Sequence, residues 1–137
     1  MPVRINILQG GIGIEFFSTG IVLGREIIDA NSRIYTAEIL QRLNYKILDR
    51  TTCTDYRVSA DDVQKIVKQD VEASKINPNL TLIYVTLTPL QFGVTRMWQA
   101  YAYETGWESK IFQDRDSADA FIEEKFESSI RSIDDKV

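Results

Sequence analysis

The residues best placed to bind a ligand lie where a predicted strand runs directly into a predicted helix. The segment from Thr81 begins as an apolar strand and continues as a helix in which Thr88 is the cap and Pro89 the first residue. Such a junction leaves backbone N–H groups at the mouth of a sheet, where they can bind a small anion. The candidate ligand or anion site consists of Asp49, Thr86, Thr88, Leu90 and Gln91.

Each part of this site also has a purely structural interpretation. Asp49 is the last residue of the third predicted strand, and its carboxylate could orient the following loop by accepting hydrogen bonds from backbone N–H groups. The helix start after Thr88 need not bind anything. Both interpretations stay open on the sequence alone.

The sequence contains no histidine and a single cysteine, Cys53. Without histidine the chain lacks the commonest general base and zinc ligand, and Ser-His-Asp or Cys-His catalysis is excluded. Cys53 lies in a predicted polar loop near Arg50 and Arg57, which could lower its pKa; the alternative is a plain surface thiol. A carboxylate enzyme using Asp49 and Asp114 would lack a partner base. We therefore predict that the protein is not an enzyme and uses neither a metal nor a cofactor.

Composition limits the class of protein further. The chain has 137 residues, 44% of them hydrophobic and 26% charged, which is typical of one soluble domain. Its net charge is −4 and no cluster of lysine or arginine offsets it, so we expect no nucleic-acid partner. The apolar runs are strand-sized, and residues 1–9 lack the features of a signal peptide, so we expect no membrane insertion and a cytoplasmic location.

Hydrophobic periodicity predicts an N-terminal hairpin followed by alternating helices and strands. The predicted strands are residues 3–8, 12–17, 45–49, a fourth from Thr81, and 107–113. The predicted helices are residues 25–34, a short piece after Thr36, one capped by Ser59, one from Pro89, and 117–126. Residues 50–57 are predicted to be a loop, and Gly20 and Gly24 to bracket a turn. This order predicts an α/β fold with a mixed, mostly parallel five-stranded sheet and helices packed on it. We expect one domain over residues 1–127 and a polar tail over residues 128–137.

Several short segments occur in the same order in a group of small bacterial proteins. They are residues 20–26, 45–49, 58–63 with Asp70, 77–78, 92–97 and 112–120. Over about residues 3–126 the chain resembles STAS-type domains, the fold of anti-sigma-factor antagonists and of the cytoplasmic part of sulphate transporters. The resemblance implies a STAS-like sandwich.

The same resemblance makes Ser59 a candidate regulatory residue. Anti-sigma-factor antagonists have an aspartate after the third strand and a phosphorylatable serine at the start of the next helix. Asp49 matches the aspartate, and Ser59 has roughly the place of the serine, but its neighbours are Val58 and Ala60 rather than the usual Asp-Ser-Ser-Gly context. Its own chemistry indicates a helix cap.

The helix after Pro89 has two candidate faces. We expect Leu90, Val94, Met97 and Tyr101 to face the sheet. A second stripe combines aromatic residues with arginine, as interface hot spots do, and predicts a homodimer; the alternative places it under a neighbouring helix. The stripe comprises Phe92, Arg96, Gln99 and Tyr103.

Together these observations favour a non-catalytic regulatory or binding module that acts through a regulatory protein partner or a small ligand. The alternative is a small-molecule or lipid carrier with an apolar pocket between sheet and helices. The residues that could line such a pocket are Phe16, Phe17, Tyr35, Met97 and Trp98.

Overall fold

A five-stranded sheet forms the centre of the protein, and its strands lie side by side in chain order. The computed structural model describes residues 2–134, without the side chains of residues 89–92, 101 and 127–134. The strands are β1 (Val3–Leu8), β2 (Gly13–Leu23), β3 (Tyr45–Arg57), β4 (Thr81–Val85) and β5 (Glu108–Phe112). β1 is antiparallel to β2, and every later neighbour is parallel. The predicted hairpin and the mixed, mostly parallel sheet are therefore confirmed.

Five helices connect and cover the strands. They are α1 (Gly24–Ile34), α2 (Ala37–Leu40), α3 (Ala60–Ile76), α4 (Pro89–Tyr101) and α5 (Arg115–Asp134). The predicted helix start at Pro89 is confirmed. α5 is longer than predicted, so the tail expected from residue 128 begins inside a helix, and residues 135–137 lie outside the described part of the chain. Within residues 2–134, no helix is long and apolar enough to cross a membrane.

The sheet is buried on both faces. On one side, here called the four-helix face, α1 to α4 pack on Phe16, Leu48 and Leu82. On the other side, the α5 face, Ile83 and Val85 pack against α5. Because β4 is enclosed on both sides, its sequence is a continuous apolar run rather than an alternating pattern.

The main departure from prediction is the length of β2 and β3. Residues 50–57, predicted to be a loop, continue β3 beyond its last pair with β4, Asp49 with Val85, and pair only with β2. Beyond the buried Arg50, residues 51–57 are exposed or only partly buried, so polar side chains are tolerated there, and the β-branched threonines still favour a strand. Gly20 does not bracket a turn: it lies at an irregularity within β2 with φ +64°, a conformation that suits glycine, and Gly24 is the first residue of α1.

Replacing Ile83 with aspartate should prevent folding. Ile83 lies in the centre of the sheet with no exposed surface, and an unpaired buried charge costs several kcal/mol of a total stability of about 5–15 kcal/mol. Ile21→Asp, at a half-exposed position of β2, is the matched control and should fold. Circular dichroism melting of both variants tests this, and a soluble Ile83→Asp protein that melts like wild type would contradict the placement of β4.

Candidate functional site

Strand β3 places charged side chains inside the protein on both faces of the sheet. Lys46 and Arg50 point to the four-helix face and Asp49 to the α5 face, and each of the three is only 2% exposed. Removing a charge from water is costly unless partners compensate it. The partners of these three residues therefore show which buried charges are fully paired within the protein and which lack an oppositely charged partner.

Asp49 is fully occupied by contacts that fix α5 and the adjoining chain. One carboxylate oxygen accepts a hydrogen bond from Arg115 Nη1 at 2.8 Å. The other accepts from the N–H and the hydroxyl of Thr51 at 2.9 and 2.7 Å. Arg115 Nη1 also pairs with Glu15, and Arg115 Nε donates to Asp119 at 2.8 Å. This is the orienting role that the sequence left open for Asp49, with Glu15 and Arg115 as partners that the sequence analysis missed.

Lys46 belongs to a polar network beneath α1 and α3. Its Nζ donates to Asn31 Oδ1 at 2.6 Å and to the Tyr35 hydroxyl at 2.9 Å, and the Tyr35 hydroxyl donates to Asp70 Oδ1 at 2.6 Å. The Nζ also lies 4.5 Å from the centre of the Phe16 ring. The lysine and the aspartate are thus linked through Tyr35, and the network joins β3 to both helices.

Burial dominates the titration of this network. It lowers the pKa of Lys46 to about 8; Asp70 opposes that shift, and the nearby Arg50 adds to it. Burial likewise raises the pKa of Asp70, against the effects of Lys46 and of the Tyr35 hydrogen bond. The hydrogen bonds and the opposite charge therefore offset only part of the cost of burying the charged forms of Lys46 and Asp70.

Arg50 sits in a cage of aromatic rings. Its guanidinium carbon lies 4.3 Å from the centre of the Tyr56 ring, 5.4 Å from that of Tyr84 and 5.2 Å from that of Trp98. Nη1 donates to the Thr95 hydroxyl at 2.8 Å and Nη2 to the Tyr56 hydroxyl at 3.0 Å. Cation–π contacts stabilise a desolvated guanidinium by roughly 2 kcal/mol. Among the described side chains, however, no carboxylate forms an ion pair with Arg50.

Thr86, just after β4, has a buried hydroxyl that lacks a hydrogen-bond partner in the described structure. Its N–H donates to Phe112 at 2.9 Å, so the chain is still extended there, and its side chain is 1% exposed. Continuing the register of Asp49 with Val85 by one residue sets Thr86 beside Arg50, on the face of Tyr84. We call the place where Arg50, Thr86 and the first turn of α4 meet the carboxyl-edge corner.

The structure thus divides the predicted ligand site. Thr86, the exposed Thr88 and the backbone of Leu90 and Gln91 lie at the carboxyl-edge corner, while Asp49 lies on the α5 face. The sequence analysis missed Arg50 and Tyr56 because it predicted residues 50–57 to be a loop, and it missed Thr95 because it assigned a different face of α4 to the sheet. The available signal was spacing: if β3 continues to residue 50, Arg50 lies on the same face as Lys46 and Leu48.

Two other candidate residues cap helices. The Ser59 hydroxyl accepts a hydrogen bond from the Asp62 N–H at 3.1 Å, and the Asp62 carboxylate accepts from the Ser59 N–H at 3.2 Å. The Asp114 carboxylate accepts from the N–H and hydroxyl of Ser117 at the start of α5. Ser59 is exposed, so its capping role does not test whether it is ever phosphorylated.

Cys53 differs from expectation. It lies within β3 and not in a loop, partly buried, with its thiol 3.4 Å from the Asp55 carbonyl oxygen. Burial raises the pKa of the thiol, although the Asp55 hydrogen bond and Arg50 act in the opposite direction. The direction of this shift favours an ordinary thiol over an activated one.

Helix α4 is rotated relative to the predicted faces. Thr95 and Trp98 are buried, whereas Met97, expected to face the sheet, is 57% exposed. The larger ring of Trp98 and the hydrogen bond from Arg50 to Thr95 account for this choice of face.

The predicted dimer stripe is consequently broken. Gln99 Nε2 donates to the Ser109 hydroxyl of β5 at 2.8 Å, so Gln99 lies against the sheet edge. Arg96 is exposed, Tyr103 lies beyond the end of α4 and is 86% exposed, and the side chain of Phe92 lies outside the described set. Gln99 therefore does not belong to an exposed face.

The residues predicted for an apolar carrier pocket do not surround a common space. Phe16 is buried against Lys46, Trp98 packs on Arg50, and Met97 is exposed. One cavity, of about 720 Å³, lies between β4 and the turn after α4, where Tyr84 and Trp107 line it. Another, of about 450 Å³, lies beside the N-terminal hairpin.

A solved structure from Shewanella loihica PV-4 resembles this architecture. That protein is an uncharacterized member of the DUF3478 family with a SpoIIAA-like fold. The match covers 87% of this chain and 90% of the other, with a TM-score of 0.57 and 16% sequence identity. The chain has a SpoIIAA-like, STAS-type fold. The resemblance seen in the sequence is confirmed for the fold, and at this identity it extends no further. No protein-family model and no curated protein matches the chain.

The Lys46 network should give the protein a specific pH dependence. The pKa of Lys46 is about 8 in the folded protein and 10.5 when solvated, so between these values the unfolded chain binds more protons. The free energy of unfolding of wild type, relative to Lys46→Met, should therefore rise from pH 8 to pH 10, by at most about 3 kcal/mol. Urea titrations of both proteins at several pH values measure this difference in unfolding free energy. The titration of the tyrosines, which both proteins contain, cancels in the difference. Lys68→Met, at an exposed position of α3, should not change the slope. Parallel curves for wild type and Lys46→Met would contradict the prediction.

Proposed function

We propose that this protein is a non-catalytic regulatory module that binds a small oxyanion at the carboxyl-edge corner. The observation that supports this is an excess of buried positive charge. On the four-helix face, buried Lys46 and Arg50 are accompanied by one buried carboxylate among the described residues, Asp70. A buried cation without a carboxylate partner is unfavourable, and an anion beside Arg50 would remove that cost.

The groups at the corner suit an oxyanion. A guanidinium offers five N–H donors in a planar fork, and Arg50 bonds Thr95 and Tyr56 through two nitrogens. The hydroxyl of Thr86 can donate as well, and α4 begins three residues later at Pro89, so its first N–H groups and dipole favour negative charge. Phosphate is the simplest anion that uses all three kinds of donor.

The absence of catalysis is also part of the proposal. Burial shifts the pKa values of Lys46, Tyr35 and Asp70, but Lys46 and Asp70 both bond to the Tyr35 hydroxyl beneath α1 and α3, and none of the three lines either cavity described above. A general acid or base must come within hydrogen-bond reach of its substrate. Asp49 and Asp114, the carboxylates considered for an enzyme, are both engaged in structural contacts. A SpoIIAA-like fold is compatible with a regulatory role.

Thr86→Val tests the oxyanion site without disturbing the core. The substitution keeps the shape of the side chain and removes a hydroxyl that has no partner in the described structure, so stability should be unchanged or slightly higher. Phosphate affinity should fall roughly ten- to a hundredfold, since a hydrogen bond to a charged group contributes about 1.5–3 kcal/mol. Titration calorimetry with inorganic phosphate at constant ionic strength measures this.

Thr81→Val is the matched control, because Thr81 is a buried threonine at the opposite end of β4. It should bind phosphate as wild type does. Wild type that shows no heat with phosphate, or a Thr86→Val protein that binds it equally well, would refute the site.

Contact with a protein partner is a second mode of action, favoured by exposed apolar side chains near α4. Leu87, Met97 and Tyr103, which lie before, within and after α4, are all more than half exposed, and large exposed apolar groups can mark a protein contact. We propose that this surface forms a homodimer, in place of the continuous stripe predicted from the sequence.

The dimer should dissociate when charges are placed in this surface. Met97→Glu with Tyr103→Glu should give a folded monomer, because neither side chain is buried. Sedimentation velocity over a concentration series distinguishes the species. A wild-type protein that is monomeric at high micromolar concentration would exclude the homodimer.

A further inference from the structure

A second candidate binding surface lies beside the edge strand β1, between the β1–β2 hairpin and helices α1 and α2. It is a groove of about 450 Å³, within the size range of small-molecule sites. We call it the hairpin groove. Its apolar lining consists of five isoleucines, contributed by both strands and both helices. They are Ile5, Ile7, Ile14, Ile34 and Ile39.

One of these isoleucines is mostly exposed and therefore contributes little to the core. Ile7 is 70% exposed, although Ile14 and Ile34 behind it are buried. Covering an isoleucine side chain would stabilise a complex, since burying it fully contributes roughly 1.5–3 kcal/mol. The groove therefore has an apolar floor that continues to an exposed edge.

The rim of the groove is positively charged. Arg33 and Arg42 lie on it, together with a single carboxylate, Glu38. Among the described residues neither arginine forms an ion pair. The guanidinium of Arg42 lies against the Gly10–Gly11 turn, since a Cβ built on Gly11 would be 3.9 Å from its carbon. This positive rim contrasts with the net charge of −4 for the chain.

We propose that the hairpin groove binds a free fatty acid: one aliphatic chain on the isoleucine floor, with its carboxylate at Arg42 or Arg33. The volume suits a single chain rather than a two-chain lipid, and a rim of two arginines and one glutamate complements one negative charge. This site is independent of the oxyanion site, because it shares none of the residues of the carboxyl-edge corner.

Dodecanoate below its micellar concentration is the probe, and dodecyltrimethylammonium is the matched ligand of opposite charge. On a protein of net charge −4, unspecific attraction would favour the cationic probe. We expect the reverse: saturable binding of dodecanoate by calorimetry, with amide shifts in ¹H–¹⁵N spectra concentrated at Gly10, Gly11 and α2. Equal or stronger binding of the cationic probe would overturn the proposal, as would the absence of saturable dodecanoate binding.

Ile7→Asp should weaken dodecanoate binding roughly tenfold or more, because it removes apolar contact and places a negative charge in the groove. Arg42→Gln should weaken it about two- to fivefold, as expected for an exposed ion pair. Ile21→Asp, at an exposed isoleucine of β2 outside the groove, is the control and should bind as wild type.

The same samples identify other occupants. If wild type self-associates and Ile7→Asp is monomeric while dodecanoate does not bind, the groove is an interface between two copies and the proposal is wrong. If Ile7→Asp and Ile21→Asp bind dodecanoate equally, the binding is unspecific and the proposal is also wrong. Circular dichroism melting of each variant ensures that only folded protein is compared.

Discussion

The architecture depends on the cost of burying the charges of β3. Lys46, Asp49 and Arg50 lie in a strand that is covered on both faces, so each needs partners that only the surrounding helices can supply. Arg115 of α5 pairs with Asp49, α1 and α3 bring Asn31 and Asp70 to the Lys46 network, and α4 brings Thr95 and Trp98 to Arg50. Four helices are thus positioned by polar contacts to one strand, in addition to the apolar packing that they share.

The buried charges of β3 are paired differently on the two faces of the sheet. On the α5 face, Glu15 and Asp49 converge on Arg115, which Asp119 also contacts, so the cluster is complete and fixes a helix. On the four-helix face two cations accompany one carboxylate, and the hydroxyl of Thr86 has no partner. In open α/β sheets, ligands generally bind outside the carboxyl ends of the strands, which is where the unpaired groups of the four-helix face lie. This difference directs the proposed oxyanion to the carboxyl-edge corner and not to Asp49.

The sequence predicted those features that depend on local chemistry. The helix starts at Ser59 and Pro89 follow from capping and proline geometry, and β4 follows from a continuous apolar run. Residues 50–57 were missed because they extend β3 beyond its last pair with β4: Arg50 is buried but polar, and residues 51–57 are partly or fully exposed, so no apolar pattern marks the strand. The face of α4 was misassigned because Thr95, a polar residue, is buried and accepts a hydrogen bond from Arg50. The sequence predicted Thr86 and the start of α4 at the carboxyl-edge corner but not Arg50, which was placed in a loop and which packs against Tyr84 and Trp98, two residues distant in sequence.

Buried polar contacts also make the register of β3 specific. Side chains alternate between faces, so a slip of β3 by one residue would turn Asp49 toward Asp70 and both cations toward Arg115. The first of these changes would bring two carboxylates together on a face that had lost both of its cations, whereas an all-apolar strand buried on both faces would tolerate the slip far better. The charges that destabilise the fold in absolute terms therefore also select one arrangement of it, and that arrangement is the one in which Arg50 reaches the carboxyl-edge corner. Fold specificity and the proposed binding of an anion thus have the same physical origin in β3.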